Sequence, residues 1–373
     1  MAAKKKRRAP ASTAKREEPA AAAAPERPPP RNGVVEVFFG ALGLVVAAIF
    51  VLLARPWSGD FATWFLAAEV ATAIALIVYG SRRMIDRDAP PTHIDELHPR
   101  RFFLETWRRM DEEAREERLA RKKAGKEYDW RPVVVLAFGA VFLTLMEYWG
   151  GSRTYVALVE NLHGDSAEPT FWSELRTSPF ARLFEFAWWS GWRVLGYFVL
   201  PAITLWSMRL RIREHGLETT GFSDHAWIYA FAYSIVLVCV VVVSYTEEFS
   251  TYYPFYKLAS RSWFDFVAWE LLYAAQFFSL EFFFRGYWLK ACKSVMGSHA
   301  IFAMVVPYCM IHYGKPMAEA IAAIAAGLVL GTLAMKTRSI WSGFLIHVSV
   351  AISMDVAALL QTAGLPDRFW PNL

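Results

Sequence analysis

The chain has 373 residues, of which 55% are hydrophobic and 16% aromatic, and its formal net charge is +5. Soluble domains hold roughly 45–50% apolar residues even with glycine counted, and here the charged residues, 20% of the total, are bunched between long uncharged runs. These figures exclude a soluble enzyme, a secreted disulfide scaffold and a disordered protein, and leave a polytopic membrane protein.

Residues 1–33 carry nine Lys/Arg against three Glu, so +6, and the rest of the chain sums to −1. This Ala/Pro-rich stretch closes on Pro28, Pro29 and Pro30. It cannot bury enough apolar surface to fold and is expected to be a disordered, solvated cytoplasmic tail. Lys4, Lys5, Lys6, Arg7 and Arg8 can touch anionic lipid. No folded basic face accompanies them, so no nucleic-acid partner is expected. The apolar segment that follows is too long for the core of a cleaved signal peptide.

Apolar runs then predict nine membrane spans, near 34–54, 61–80, 132–150, 181–208, 227–246, 265–289, 300–313, 317–335 and 340–360. Each long run suffices to cross a hydrocarbon core of roughly 30 Å; the seventh is short and ends at Gly314-Lys315-Pro316. The expected fold is an all-α polytopic membrane bundle of about nine helices. It divides into the tail, N-terminal spans over 34–260, a C-terminal core over 261–362 and a short tail over 363–373. Loop 81–131 has fourteen Lys/Arg and twelve acids. Lys290, Lys293, Lys336 and Arg338 fall in connections on the same side. The positive-inside rule puts that side and the N-terminus in the cytoplasm, and the C-terminus outside. The loop's charged, amphipathic helix, near 102–125, should lie on that surface, with Asp111–Arg115 and Glu117–Arg121 as (i, i+4) pairs. His93, His98, His163, His215, His225 and His299 fall near span ends, where water would reach them. Cys239, Cys292 and Cys309 form no CxxC pair and read as buried thiols.

Ionisable residues inside spans are costly and mark functional candidates. The best group is Glu281 and Arg285, then His312, then His347 with Asp355. Glu281 and His312 are equidistant from Met296-Gly297-Ser298, the natural turn of a helical hairpin, so they should share a height. At 1.5 Å per residue that height is about 22–24 Å from the turn, and His347 lies about 10 Å into its own span. Arg285 is one helical turn after Glu281 and can hold its charge. Gly286 permits close approach of another helix. Glu270, three turns before Glu281, faces the same way. Glu36, Glu69 and Glu147 read as interfacial or structural.

Glu281-Phe-Phe-Phe-Arg285-Gly286, aromatic-xxx-His over Tyr308–His312, and the membrane-embedded His347 resemble, in order and spacing, the three motifs of the CPBP family over roughly 261–362. These are intramembrane CAAX-type endopeptidases and bacteriocin-processing relatives. Leu280 stands where the family has a first glutamate, Tyr308 where it has phenylalanine, and Ala351 where it has asparagine. The resemblance implies hydrolysis of a membrane-tethered peptide or protein. Glu281, assisted by His312, would take a proton from water, and His347 would donate to the oxyanion. Arg285, Asp355, Tyr308 and Glu270 would support them. No cofactor is expected; the alternative is a Zn²⁺ held by Glu281, His312 and His347, although no HExxH pair is present. Two other functions compete: a catalytically inactive scaffold or immunity protein of the same family, and a proton-coupled transporter relaying through Glu281, Arg285 and Asp355. The setting expected is the inner (plasma) membrane of a bacterium, with lipid and the tethered substrate as partners.

Overall fold

The computed structural model describes residues 33–53, 60–86, 92–126, 128–165, 168–219, 222, 224–315 and 317–372. Of the basic tail, residues 1–32 lie outside these. The described residues form helices and connecting turns, as the uncharged runs require, because in lipid a helix satisfies its own backbone groups.

Helices α1 (Val34–Leu53) and α2 (Asp60–Ile85) pack tightly. Their glycines permit it: a methyl group on Gly40 would strike the Ala73 carbonyl, and one on Gly80 the Gly33 carbonyl. Glu36, Arg83 and Asp95 form a buried ion cluster at one end of the pair, Arg83 Nη2 lying 2.6 Å from Asp95 Oδ2. Glu36 is therefore structural. The charged loop helix α3 (Thr106–Lys123), opened by a π turn over Arg100–Glu105, precedes α4 (Arg131–Trp149), α5 (Ser152–His163) and α6 (Phe171–Thr177). Helix α7 (Ala181–Val194) runs through a π turn, Leu195–Val199, into α8 (Leu200–Ser207); α9 (Ala226–Val243) and the short α10 (Glu247–Tyr252) follow. The C-terminal core holds α11 (Trp263–Glu281), the π turn Phe282–Leu289, α12 (Lys290–Met296), α13 (His299–Met310), α14 (Met317–Thr337) and α15 (Trp341–Gln361).

Among the described residues four helices are long and apolar enough to cross a membrane by length and composition: Arg131–Trp149, Ala226–Val243, Glu319–Thr337 and Trp341–Gln361. Four of the nine expected spans, 132–150, 227–246, 317–335 and 340–360, meet this measure. Span 181–208 is divided by its π turn. Span 265–289 begins on a helix that carries Asp265, Glu270 and Glu281. Span 300–313 has only the 12 residues of α13.

The hairpin predicted at 296–298 is present. Gly297 takes φ +57°, a conformation that favours glycine, and reverses the chain between α12 and α13. Helix α3 does more than lie on a surface. Asp111 accepts from the Ser298 backbone N–H at 2.7 Å, Trp107 Nε1 donates to Thr332 Oγ1, Arg109 donates to the Met335 carbonyl, and Glu113 pairs with Lys293 at 2.6 Å. Asp111 thus serves the start of α13 instead of pairing with Arg115, whereas Glu117 and Arg121 do pair, at 3.7 Å.

Asp129, between α3 and α4, receives Arg131 and Ser294 Oγ. Burial alone would raise its carboxyl, but these hydrogen bonds outweigh burial and hold it down to about 2. A depressed carboxyl stabilises the fold above its unfolded range near roughly 4, and that contribution fades as pH falls towards the folded value. Asp129→Asn should therefore cost about 1–2 kcal/mol at pH 7. In thermal melts of detergent-solubilised protein, the gap between variant and parent should narrow by pH 3; a gap independent of pH would refute the assignment.

Candidate active site

Helices α11 and α15 run antiparallel, and their register brings residue 281 beside residue 347. The Glu281 carboxylate has no exposed surface. Its Oε1 lies 3.0 Å from Arg285 Nη1 and 2.9 Å from His347 Nδ1. Neither contact has hydrogen-bond alignment, so the carboxylate is held by charge and proximity. The register depends on Gly343, one turn before His347: a methyl group there would overlap the Glu281 carboxylate.

The opposite edge of the His347 ring meets the hairpin's second helix. Nε2 is 3.0 Å from the Tyr308 hydroxyl. Phe277 stacks on the imidazole at 5.2 Å, nearly parallel. The guanidinium of Arg285 sits 4.3 Å above the Tyr308 ring. His312, in the turn after α13, donates from Nδ1 to the Tyr308 carbonyl at 2.7 Å. A carbonyl only accepts, so Nδ1 carries the proton and Nε2 keeps the lone pair. Glu281, Arg285, His347, Tyr308 and His312 therefore form one connected group drawn from α11, its π turn, α13 and α15.

Asp355 and Glu270 belong elsewhere. Asp355, fully buried, accepts from Trp269 Nε1 at 2.7 Å and from the Phe255 backbone N–H at 3.3 Å, and Glu270 lies beside it. Eight residues of α15 separate Asp355 from His347, about 12 Å along the axis. Asp355 thus sits at another level of α15 and does not reach the Glu281 group. Leu280 packs in the main apolar cluster. Gly286 does admit a close neighbour, but it is the His215 carbonyl rather than a helix. His215, expected in water, is buried and bonds the Arg211 carbonyl through Nδ1. Among the described residues no group of three or more His, Cys, Asp or Glu is placed to hold a metal ion.

Arg285 also lines a cavity of about 520 Å³ under α3, with Glu113, Lys290, Lys293 and Arg338 on its walls. Two residues escaped sequence reasoning, Gly343 and Phe277, whereas Tyr308 was expected as a supporting residue. A glycine one turn before a membrane histidine is a usable signal for the first.

Residues 261–353 match the family model for Rce1-like proteins, type II CAAX prenyl endopeptidases. No curated protein and no solved structure matches the chain.

Removing one member of a buried ion pair strands its partner's charge, which costs about 3–5 kcal/mol. Arg285→Met should lower the melting temperature of the purified protein accordingly. Glu281→Leu added to Arg285→Met should recover most of the loss. If the double variant is as unstable as the sum of the single ones, the two side chains are not coupled.

Proposed function

Through residues 261–353 this chain belongs to the CPBP family of type II CAAX-type endopeptidases, and from that premise we propose that it is an intramembrane peptide hydrolase acting on a membrane-tethered peptide or protein. The observation that carries the proposal is the contact of Glu281 with His347 across two helices, continued through Tyr308 to His312.

His312 Nε2 holds the open lone pair, and its half-buried side chain can meet water. It takes a proton from that water as the nucleophile attacks the peptide carbonyl. His347 faces the Glu281 carboxylate with Nδ1, and its Nε2–H can donate to the oxyanion where the Tyr308 hydroxyl now sits. Such a donor is worth about 10²–10³ in rate. Arg285 keeps Glu281 ionised in the interior. The tetrahedral species collapses as His312 returns its proton to the leaving amine; the products are a carboxylate and an amine. Water alone is consumed, and the reading invokes no cofactor.

The same reading sets the chain in a bacterial inner membrane. The end that bears α3, Lys290, Lys293 and Arg338 is cytoplasmic, and the C-terminus is outside.

A second reading has support of its own. Leu280 is buried in apolar packing and Ala351 offers no hydrogen bond, which favours a relative that binds its partner without cutting it. Comparative membrane proteomics of parent, Glu281→Gln, His312→Ala and His347→Ala cells separates the two. For a peptidase, each variant accumulates an unprocessed terminus that the parent lacks, with at least a hundredfold loss of the processed form for His347→Ala. Unchanged termini in all three variants would leave the binding relative as the answer.

A further inference from the structure

We propose that the C-terminal end of α3, with Tyr128 and Trp130 beyond it, is a binding surface for the headgroups of anionic phospholipids. The inference does not depend on the hydrolytic reading.

Residues 118–126 read Arg-Leu-Ala-Arg-Lys-Lys-Ala-Gly-Lys, five cations without an acid. Earlier in α3 the charges serve the fold. Asp111 holds Ser298, Glu113 takes Lys293 and Arg338, and Glu117 takes Arg121 and Arg131. Arg121 also lies 3.0 Å from Asp129. The other four cations are left over. Arg118, Lys122, Lys123 and Lys126 are exposed, and among the described residues none of them forms an ion pair. Arg118 reaches only the neutral Val295 carbonyl, at 3.4 Å. Leu119, 50% exposed, stands three and four residues before Lys122 and Lys123, so an apolar side chain shares their face.

What lies beside these cations identifies their partner. Gly125 takes φ +70° and turns the chain out of α3. Tyr128 and Trp130 follow, 60% and 65% exposed, with ring centroids 4.5 Å apart. Trp and Tyr gather at the boundary between lipid and water, and Trp130 immediately precedes α4, which is long and apolar enough to cross a membrane. The rings therefore mark headgroup level, and four residues of chain, at most about 14 Å, bring Lys126 to it. A lipid phosphate there meets cations while its glycerol and upper acyl chains meet Leu119 and the rings. A nucleic acid or an acidic protein segment would use the cations and leave those apolar groups in water. Each such cation is worth roughly a fivefold preference for an anionic over a neutral surface. Because α3 also holds the α12–α13 turn, through Asp111 on Ser298 and Glu113 on Lys293, a headgroup bound at its end fixes the depth of that hairpin in the membrane.

Photocrosslinking tests this on the full chain. The protein is reconstituted in phosphatidylcholine vesicles that carry a trace of either phosphatidylglycerol or phosphatidylcholine with a diazirine beside the headgroup, and crosslinks are mapped by mass spectrometry. Phosphatidylglycerol should label residues 118–130 at least tenfold more than phosphatidylcholine, and the excess should fall away in about 1 M salt, where the Debye length is about 3 Å. Arg118→Gln, Lys122→Gln, Lys123→Gln and Lys126→Gln combined should bring the two lipids to parity. Lys122→Arg, Lys123→Arg and Lys126→Arg combined should keep the excess. Equal or absent labelling of 118–130 in the parent, or an excess that survives in the glutamine variant, overturns the proposal.

Discussion

A carboxylate with no exposed surface, set among apolar helices, is the constraint around which the C-terminal core is built. An isolated ion there would cost several kcal/mol, and Glu281 answers with two basic neighbours at about van der Waals contact, Arg285 from its own helix and His347 from α15. Much else follows from keeping them in place. Helix α15 must pass close enough for His347 to reach, and Gly343 provides the clearance. The chain after Glu281 opens into a π turn, a form that often marks functional sites. Phe282, Phe283 and Phe284 in that turn are completely buried. They pack in the main apolar cluster while Arg285 stays within reach of the carboxylate and over the Tyr308 ring.

The two acids on α11 illustrate how position along one helix separates chemistry from architecture. Glu281 meets basic side chains. Glu270 meets Asp355, which is anchored by Trp269 and by the backbone of the segment before α11. Between them Phe277 stacks on His347 and against Tyr273, at 4.4 Å, and Ala351 is buried on the facing helix. This apolar layer divides one polar group from the other. The Asp355 cluster ties the loop at Phe255 to α15; the Glu281 cluster reaches histidines that water can approach.

Local features of this arrangement were legible in the residues themselves. The Glu281–Arg285 pair follows from helical spacing, the Gly297 turn from the residue type and the symmetry of the flanking runs, and the grouping of Glu281 with a membrane histidine from their computed depths. What was not legible depends on which faces meet. The sequence cannot say that His347, rather than His312, touches Glu281, nor that Tyr308 joins the two imidazoles, because each contact arises from the rotation of packed helices. Asp355 misled for the same reason: two turns from His347, it is on α15 but at another level. Helix α3 looked like a surface helix because its charges are solvent-compatible; their actual partners, Ser298, Lys293 and the carbonyl of Met335, are about 170–230 residues away in the chain.

Leu280 is where the departure from the family pattern becomes a question of charge. A glutamate at position 280 would add a second carboxylate beside Glu281. Here Leu280 packs in the apolar core, and Glu281 with Arg285 is already neutral as a pair. Any mechanism that places a proton on an imidazole then leaves the group with a net positive charge in a low-dielectric interior, which is unfavourable by several kcal/mol unless another anion is close. The nearest further acid on α14, Glu319, already pairs with Lys315 at 2.6 Å and accepts from the Tyr253 hydroxyl. A proton carried by His312 is therefore offset chiefly by the water that its half-buried ring can meet, which sets the site's need for an aqueous opening.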